Sequence, residues 1–406
     1  MKSVRLFLPV LTVLAMVAAC NPAQKQATAA SECKYALMAG ETLDSLYTHF
    51  GIAGECLLRE NYPHDESYKA GYLAGEDTNE KNPYSYLWPY SGTLSAVRAL
   101  YDATGDTTYL TLLEERVLPG LNQYYDTLRT PAAYASYVNG APQSDRFYDD
   151  NVWLGIDFTD LYDATGNTAY LDKAKEIWKF IESGTDSLLG GGIYWCEQKK
   201  GGKNTCSNAP GSVYALKLFK ATSDTAYLDA GRNLYSWTKE NLQDTADCLY
   251  FDHKLLNGKI GRAKFAYNSG QMLQAATLLY NITGDDRYLT DARDIAASAH
   301  SRFFDRSATD SIGEFPRFGR GNVWFMAVMM RGFHELFLAD GNPEYMDSFL
   351  RNLDYAWATG RDTSTGLFEE DWENATPDKR KWLLTQGAAT EMLATAALYS
   401  CRSDKH

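Results

Sequence analysis

Several common functional signatures are absent from this sequence of 406 residues. It contains no Cys-X-X-Cys pair, and its six histidines lie far apart, without the spacing of a zinc site. A net charge of −13 argues against a nucleic-acid partner and against an anionic polysaccharide as the main ligand. The sequence therefore predicts no metal centre, and it favours a neutral ligand.

The sequence also lacks a hydrophobic run of transmembrane length. Residues 6–17 are apolar and follow a basic start, but the run is too short for a membrane span and fits an export signal. It ends in small residues followed by Cys20, the pattern at which a lipoprotein signal is cut and the cysteine acylated. A cleaved signal with a chance cysteine is the alternative. We predict a lipoprotein signal over residues 1–20 with lipidation at Cys20, and a flexible tether over residues 21–31.

The predicted location follows from this segment. The protein is expected to be exported and held on a bacterial membrane, periplasmic or at the cell surface, only through its lipid anchor. The sequence after Cys20 lacks an acidic run, which favours the periplasm. Apart from Cys20, six cysteines remain, an even number that allows disulfides in an exported protein. Cys196 and Cys206 are the pair most easily closed across one loop.

Tyrosine is plentiful, and it marks an internal repeat. Residues 100–110 recur almost unchanged at 161–171, with weaker copies at 218–228, 279–289 and 336–346. The marker residues are Tyr109, Tyr170, Tyr227, Tyr288 and Tyr345. By subtraction they are 61, 57, 61 and 57 residues apart. A regular period of this length indicates a repeat architecture.

Each copy has the features of a helix end followed by a helix start. Gly105 fits the left-handed position that ends a helix, and Asp106 can cap the next one. One period then holds two antiparallel helices and a longer connection. A further inner helix is predicted at residues 386–401, with its outer partner at 42–50. The prediction is an all-α, single-domain (α/α)6 toroid over residues 32–406; an open solenoid is the alternative.

The long connections precede the inner helices, so we expect function at the rim where those helices begin. The second inner helix starts with two consecutive carboxylates, Asp149 and Asp150. Neighbouring carboxyl groups can serve as nucleophile and proton donor in glycoside hydrolysis. Acidic residues also favour helix starts as caps, and Asp285 with Asp286 lies in a short turn where we expect no chemistry.

Several segments together resemble glycoside hydrolase family 76, the endo-α-1,6-mannanases, from about residue 31 onward. The segments are residues 148–151, 191–195, 203–210, 267–271, 331–336 and 366–372. The resemblance implies an (α/α)6 fold, retention of configuration, no cofactor and no metal. It also implies α-mannan as substrate, with Asp149 as nucleophile and Asp150 as general acid/base. One departure is that a Phe-Lys-Gly motif typical of the family is replaced at residues 319–324.

Aromatic and amide side chains near the predicted mouth are the candidates for sugar binding. Aromatic rings can stack on pyranose faces, and amides can hydrogen-bond hydroxyls. Packing or loop capping is the alternative for each of them. The candidates are Trp88, Tyr90, Asn151, Trp195, Asn208, Asn268, Gln271, Trp324 and Gln386.

Other functions remain open at this stage. The chain could be an inverting hydrolase or a lyase on the same toroid, although a lyase acting on uronic acids calls for a basic cleft. It could be a transglycosidase acting on α-mannan-type glycans, as some fungal relatives of this family are thought to be. A glycan-binding lipoprotein is a third class, which the presence of both aspartates disfavours. We expect a monomer.

Overall fold

The fold is seen in a computed structural model, which describes residues 33–65, 67, 68, 70, 83–141, 143–318, 321–372 and 380–402. The predicted signal, tether and lipidation site at Cys20 lie outside the described residues. Among the helices described, none combines the length and the apolar character that a membrane span requires. The architecture is the predicted (α/α)6 toroid: six inner helices surrounded by six outer ones.

The inner helices are buried on nearly every side. They are α2 (Leu87–Thr104), α4 (Tyr148–Thr165), α6 (Thr205–Thr222), α8 (Ala266–Thr283), α10 (Val323–Asp340) and α12 (Leu383–Arg402). Each packs against the next around the ring, and α12 packs against α2. The ring is therefore closed, which excludes the open solenoid.

Five of the outer helices bury only an inward-facing stripe, and the short α3 buries no residue. They are α1 (Lys34–Phe50), α3 (Thr107–Leu112), α5 (Thr168–Ser183), α7 (Thr225–Leu242), α9 (Asp286–Phe303) and α11 (Glu344–Thr359). Helix α3 continues through a π-helical turn (Leu113–Val117), an α-helical turn (Leu118–Leu121) and a 3-10 turn (Asn122–Tyr124). A second 3-10 turn covers Leu188–Gly190. Stripe burial is the expected behaviour of an amphipathic helix whose other face meets water.

The short turns at one rim have the predicted chemistry. Gly105 ends α2 in the left-handed region at φ 67°, where a glycine has no Cβ to clash. Asp106 then accepts a hydrogen bond from the Thr108 N–H at the start of α3. The same left-handed residue ends four other inner helices; in one of them it is Ser223. We call this end of the toroid the short-turn rim.

The sixth position of the short-turn rim holds a disulfide instead of a turn. Cys33 begins α1, Cys401 ends α12, and the two are bonded across 368 residues of sequence. The prediction of a Cys196–Cys206 bond is wrong, because both thiols are free and buried. Cys206 lines the central cavity, whereas Cys196 follows the cavity-facing Trp195 in an extended segment and so points the other way.

The opposite end, which we call the mouth, carries the long connections and short strands. The strands are β1 (Asn61–Tyr62), β2 (Tyr125–Asp126), β3 (Ala133–Tyr134), β4 (Gly202–Asn204), β5 (His253–Leu255), β6 (Ile260–Gly261), β7 (Arg306–Thr309), β8 (Glu314–Arg317) and β9 (Lys381–Trp382). All pairings are antiparallel: β1 with β9, β2 with β3, β4 with β5, β5 with β6 and β7 with β8. The β1–β9 pair joins the first and last connections, so the mouth is closed as a ring too.

Candidate active site

A cavity of about 530 Å³ opens at the mouth, and both predicted carboxylates line it. Asp149 and Asp150 occupy the first turn of α4, so the helix itself brings them to the cavity. The half-buried Asp285 lies at the short-turn rim, where it caps α9 and pairs with Arg287. The structure therefore separates the two acidic pairs as the sequence analysis predicted.

The two carboxyl groups have different surroundings. Asp149 Oδ2 accepts a hydrogen bond of 3.0 Å from the Trp195 indole N–H, and its other oxygen, Oδ1, is buried without a hydrogen-bond partner. Burial raises the pKa of Asp149 to about 6, although the Cys206 thiol, the Trp195 indole and backbone N–H groups each lower it. The balance favours an ionised Asp149 at neutral pH.

Asp150 has less support for a negative charge. Burial raises its pKa well above the usual range, and the charge of Asp149 raises it further. Like charges held together cannot both ionise easily, so the proton shared by the pair rests on Asp150. The site thus holds one carboxylate beside one carboxylic acid, the pairing that acid-assisted nucleophilic displacement requires.

An aromatic wall rises beside the carboxyl groups. Trp88 and Trp324 meet edge to face with ring centroids 5.4 Å apart, and Trp153 meets Trp324 at 5.1 Å. Tyr267 and Phe325 stack at 4.3 Å in the same wall. All five rings line the cavity; Trp153 and Trp324 are buried, whereas Trp88, Tyr267 and Phe325 are half-buried and offer apolar surface to the pyranose rings of a carbohydrate.

Five predicted site residues line the cavity: Trp88, Asp149, Asp150, Trp195 and Trp324. Tyr90 does not, and the prediction that it binds sugar is wrong. Its ring is buried among core residues, and its hydroxyl donates to the Cys56 and Val117 carbonyl oxygens. On α2, the Tyr90 side chain therefore points towards the outer layer and away from the cavity.

Three of the predicted amide side chains bind backbone instead of facing the cavity. Asn208 accepts from the Ile193 N–H and donates to the Ile193 and Asn204 carbonyl oxygens, at 2.6, 2.9 and 2.8 Å. Asn151 does the same with Tyr134, and Gln386 with Phe368. All three are fully buried in the first turns of inner helices, so we call them amide clamps. Their predicted role in sugar binding is wrong, because their hydrogen-bonding groups are already used.

The remaining two predicted amides are buried in α8 and do not line the cavity. Neither polar atom of the Asn268 side chain has a hydrogen-bond partner. Gln271 donates to Gln274 at 2.9 Å, while its own side-chain oxygen has none. Both are fully buried, which contradicts direct sugar contact by either of them in this conformation.

The sequence analysis missed several residues that line the cavity. The Asp252 carboxylate accepts a hydrogen bond of 2.8 Å from His253 Nδ1, and Cys206 lies at the start of α6. Phe147 and Trp153 flank the carboxylate pair on α4 and could have been found from their spacing to Asp149 and Asp150. The segment that replaces the family's Phe-Lys-Gly motif supplies Asn322, whose side chain caps α10 by accepting from the Trp324 N–H.

A helical toroid with an acid pair at the floor of an aromatic-lined cavity is an architecture used by carbohydrate-active enzymes. Comparison with known proteins makes this specific. The profile of glycosyl hydrolase family 76 matches residues 61–404, and the chain belongs to that family.

Solved structures of relatives have the same fold. A family 76 glycoside hydrolase (mannosidase) from Bacteroides thetaiotaomicron VPI-5482 is 32% identical, with a TM-score of 0.82, covering 91% of this chain and 100% of that one. An alpha-1,6-mannanase from Salegentibacter sp. HEL1_6 is 24% identical, with a TM-score of 0.71, covering 90% and 99%. That structure is an inactive variant, with asparagine at two consecutive aspartates, in complex with α-1,6-mannotriose.

Curated relatives match over a shorter length. A putative mannan endo-1,6-alpha-mannosidase of Schizosaccharomyces pombe is 24% identical over 216 residues, which is 49% of this chain and 46% of the relative. The chain spans about half the length of the curated relatives it matches.

Proposed function

We propose that this protein is a retaining glycoside hydrolase that cleaves α-1,6-mannosidic linkages in mannan backbones. The observation that carries the proposal is the unequal acid pair on the floor of the cavity. Asp149 is hydrogen-bonded by Trp195 and suited to be the nucleophile, and Asp150 is suited to hold the proton.

The chemistry follows from these protonation states. Asp150 gives its proton to the glycosidic oxygen as the bond to the anomeric carbon breaks, and Asp149 bonds to that carbon. Water then attacks the glycosyl-enzyme ester while Asp150, now ionised, takes the proton from the water. Asp149 is released as a carboxylate and Asp150 is an acid again. Retention calls for carboxyl groups roughly 5–5.5 Å apart, a spacing that consecutive residues at a helix start can meet.

The substrate class is inferred from the relatives and from the cavity. The Salegentibacter relative was solved with α-1,6-mannotriose, and the curated fungal relatives are named as mannan endo-1,6-alpha-mannosidases. The aromatic wall offers apolar faces to a neutral sugar, and the net charge of −13 disfavours an anionic one. In the Salegentibacter protein, asparagine at two consecutive aspartates accompanies inactivity, which supports the role of the pair proposed here.

We propose further that the protein is exported and anchored by lipid at Cys20. The described chain starts with Cys33 at the short-turn rim, on the opposite side from the mouth. An anchor attached on the side of the short-turn rim leaves the mouth facing away from the lipid surface. A polymer can then enter the mouth.

Digestion of unbranched α-1,6-mannan tests the activity. We expect oligosaccharides from the wild type and from the control Asp285→Ala, whose carboxylate lies at the short-turn rim. We expect at least a thousandfold less from Asp149→Ala and Asp150→Ala, because each lacks a group that forms or breaks a bond (about 4 kcal/mol). Retention of a tenth of the activity by both variants would overturn the assignment. Inactivity of the wild type on this polymer would overturn the substrate.

A further inference from the structure

Trp195 contacts the start of α4 through two different groups. Its backbone carbonyl oxygen accepts a hydrogen bond of 2.9 Å from the Tyr148 N–H. Its indole N–H donates to Asp149 Oδ2 at 3.0 Å. The first contact fixes the backbone of Trp195 relative to the helix, and the second fixes one carboxylate oxygen relative to that backbone. Asp149 is therefore oriented by a residue that is itself anchored to the same helix turn.

The segment that carries Trp195 is held from both sides. Isolated β-bridges pair Cys196 with Phe147 and Tyr194 with Lys203. The amide clamp Asn208 binds both backbone groups of Ile193. A segment fixed in this way can hold an indole in one place, which a mobile loop cannot do.

A buried lysine secures the loop that precedes this segment. The Lys203 side chain is fully buried, and its ammonium group donates to the Asp186 carboxylate at 2.7 Å. It also donates to the Leu188 and Gly191 carbonyl oxygens at 2.9 and 2.6 Å. Burying an ammonium group is costly unless such partners surround it, so these contacts define one conformation of the loop.

A buried thiol lines the same cavity as Asp149. Cys206 is the second residue of α6, lines the cavity and is buried. Burial and the charge of Asp149 raise the pKa of this thiol, which keeps it protonated and able to act as a weak S–H donor. Within the described part of the chain, Asp150 receives no comparable donor; burial and the charge of Asp149 dominate its pKa.

We propose that Trp195 is a positioning residue that selects Asp149 as the ionised, correctly oriented member of the pair. The inference deepens the proposed function and rests on it for its kinetic consequences. The indole N–H favours ionisation of Asp149, because a hydrogen bond to a carboxylate is stronger than the same bond to a neutral carboxylic acid.

The kinetic test compares two tryptophan variants of the full chain. Trp195→Phe keeps an aromatic ring but removes the N–H, and we expect kcat/KM on α-1,6-mannan to fall about 10- to 100-fold. The acid limb of its pH profile should move to higher pH, because a carboxylate that loses a donor binds its proton more tightly. Trp237→Phe is the matched control: its indole N–H donates to the Leu189 carbonyl oxygen at 2.9 Å, in the same loop but away from Asp149.

The control separates positioning from loop stability. Trp237→Phe should leave the acid limb where the wild type has it, even if the protein is less stable. An unmoved acid limb in Trp195→Phe, or equal shifts in both variants, would overturn the inference.

A second readout does not depend on activity. In protein labelled with ¹⁵N-tryptophan, the indole N–H signal of Trp195 is identified as the one that disappears in Trp195→Phe. In the wild type, the chemical shift of this signal should change with pH with a midpoint near 6. The titration should disappear in Asp149→Asn and persist in Asp150→Asn. A signal that titrates in a protein inactive on mannan would overturn the proposed function alone. Activity on mannan with a Trp195 signal indifferent to pH would overturn the positioning role alone.

Discussion

The acid pair that the proposed chemistry needs should make the folded protein less stable at neutral pH. Asp149 and Asp150 both have raised pKa values in the folded protein, chiefly because they are buried. A folded state that binds protons more tightly than the unfolded state loses stability as pH rises. Replacing both residues with asparagine removes this penalty, so Asp149→Asn/Asp150→Asn should be more stable than the wild type at pH 7.5.

The size and pH window follow from the shifts. For Asp149, a pKa raised from 3.8 to about 6 corresponds to roughly 3 kcal/mol. Part of each carboxyl faces the cavity, where solvent screens it, so we expect a measured gain of roughly 1–3 kcal/mol for the double variant. The gain should already be smaller at pH 4 and should vanish only well below the unfolded pKa of 3.8, where both carboxyls are protonated in both states; it should grow as pH rises from there through 6.

Urea unfolding at pH 4 and pH 7.5 measures the difference. Asp285→Asn is the control of opposite sign, because hydrogen bonds from Arg287 lower the pKa of the Asp285 carboxyl. Its charge stabilises the fold above the unfolded pKa and stops doing so as pH falls, so this variant should be slightly less stable than the wild type at pH 7.5 and equal to it at low pH. A double variant that is no more stable than the wild type at pH 7.5 would refute the reasoning about the pair.

Three further changes test the rest of the structure. Cys33→Ser with Cys401→Ser removes the covalent closure at the short-turn rim and should lower the free energy of unfolding by up to about 5 kcal/mol, because the bond closes nearly the whole chain. Calorimetry measures the loss, and an unchanged melting temperature would contradict this prediction. Asn208→Ala should lower the free energy of unfolding by about 1–3 kcal/mol, because it leaves the Ile193 backbone groups unpaired. A raised KM with unchanged stability would contradict this and would indicate that Asn208 binds sugar. Trp88→Ala should raise KM several-fold at nearly unchanged stability, because this half-buried ring faces the cavity. A KM equal to that of the wild type would show that Trp88 does not bind the substrate.

The fold could be predicted because each repeat is marked by residues that lie close together in the sequence. A left-handed residue such as Gly105 followed by a capping residue such as Asp106 defines a helical hairpin within a few residues, and the period supplies the number of hairpins. The carboxylates could be placed for the same reason: a helix start fixes which rim they occupy. Both inferences need only information near in sequence.

The site predictions were wrong where one residue type can serve either substrate binding or the structure of the fold. A buried asparagine such as Asn208 can hydrogen-bond a sugar hydroxyl or a backbone amide, and only the path of residues 184–204 decides which. The Cys33–Cys401 bond could not be predicted from spacing, because it depends on the ring closing so that the first and last helices meet. Cys206 reaches the cavity from the first turn of α6 and Asp252 from the connection after α7, and no local pattern marks either of them.

One measurement addresses the central claim directly: ¹H NMR of unbranched α-1,6-mannan during the first minutes of digestion by the wild-type protein. Double displacement through Asp149 predicts that the first new reducing ends are α, with β signals growing only as mutarotation proceeds. New reducing ends that appear first as β would contradict attack by Asp149, and the absence of new reducing ends would contradict cleavage of this linkage.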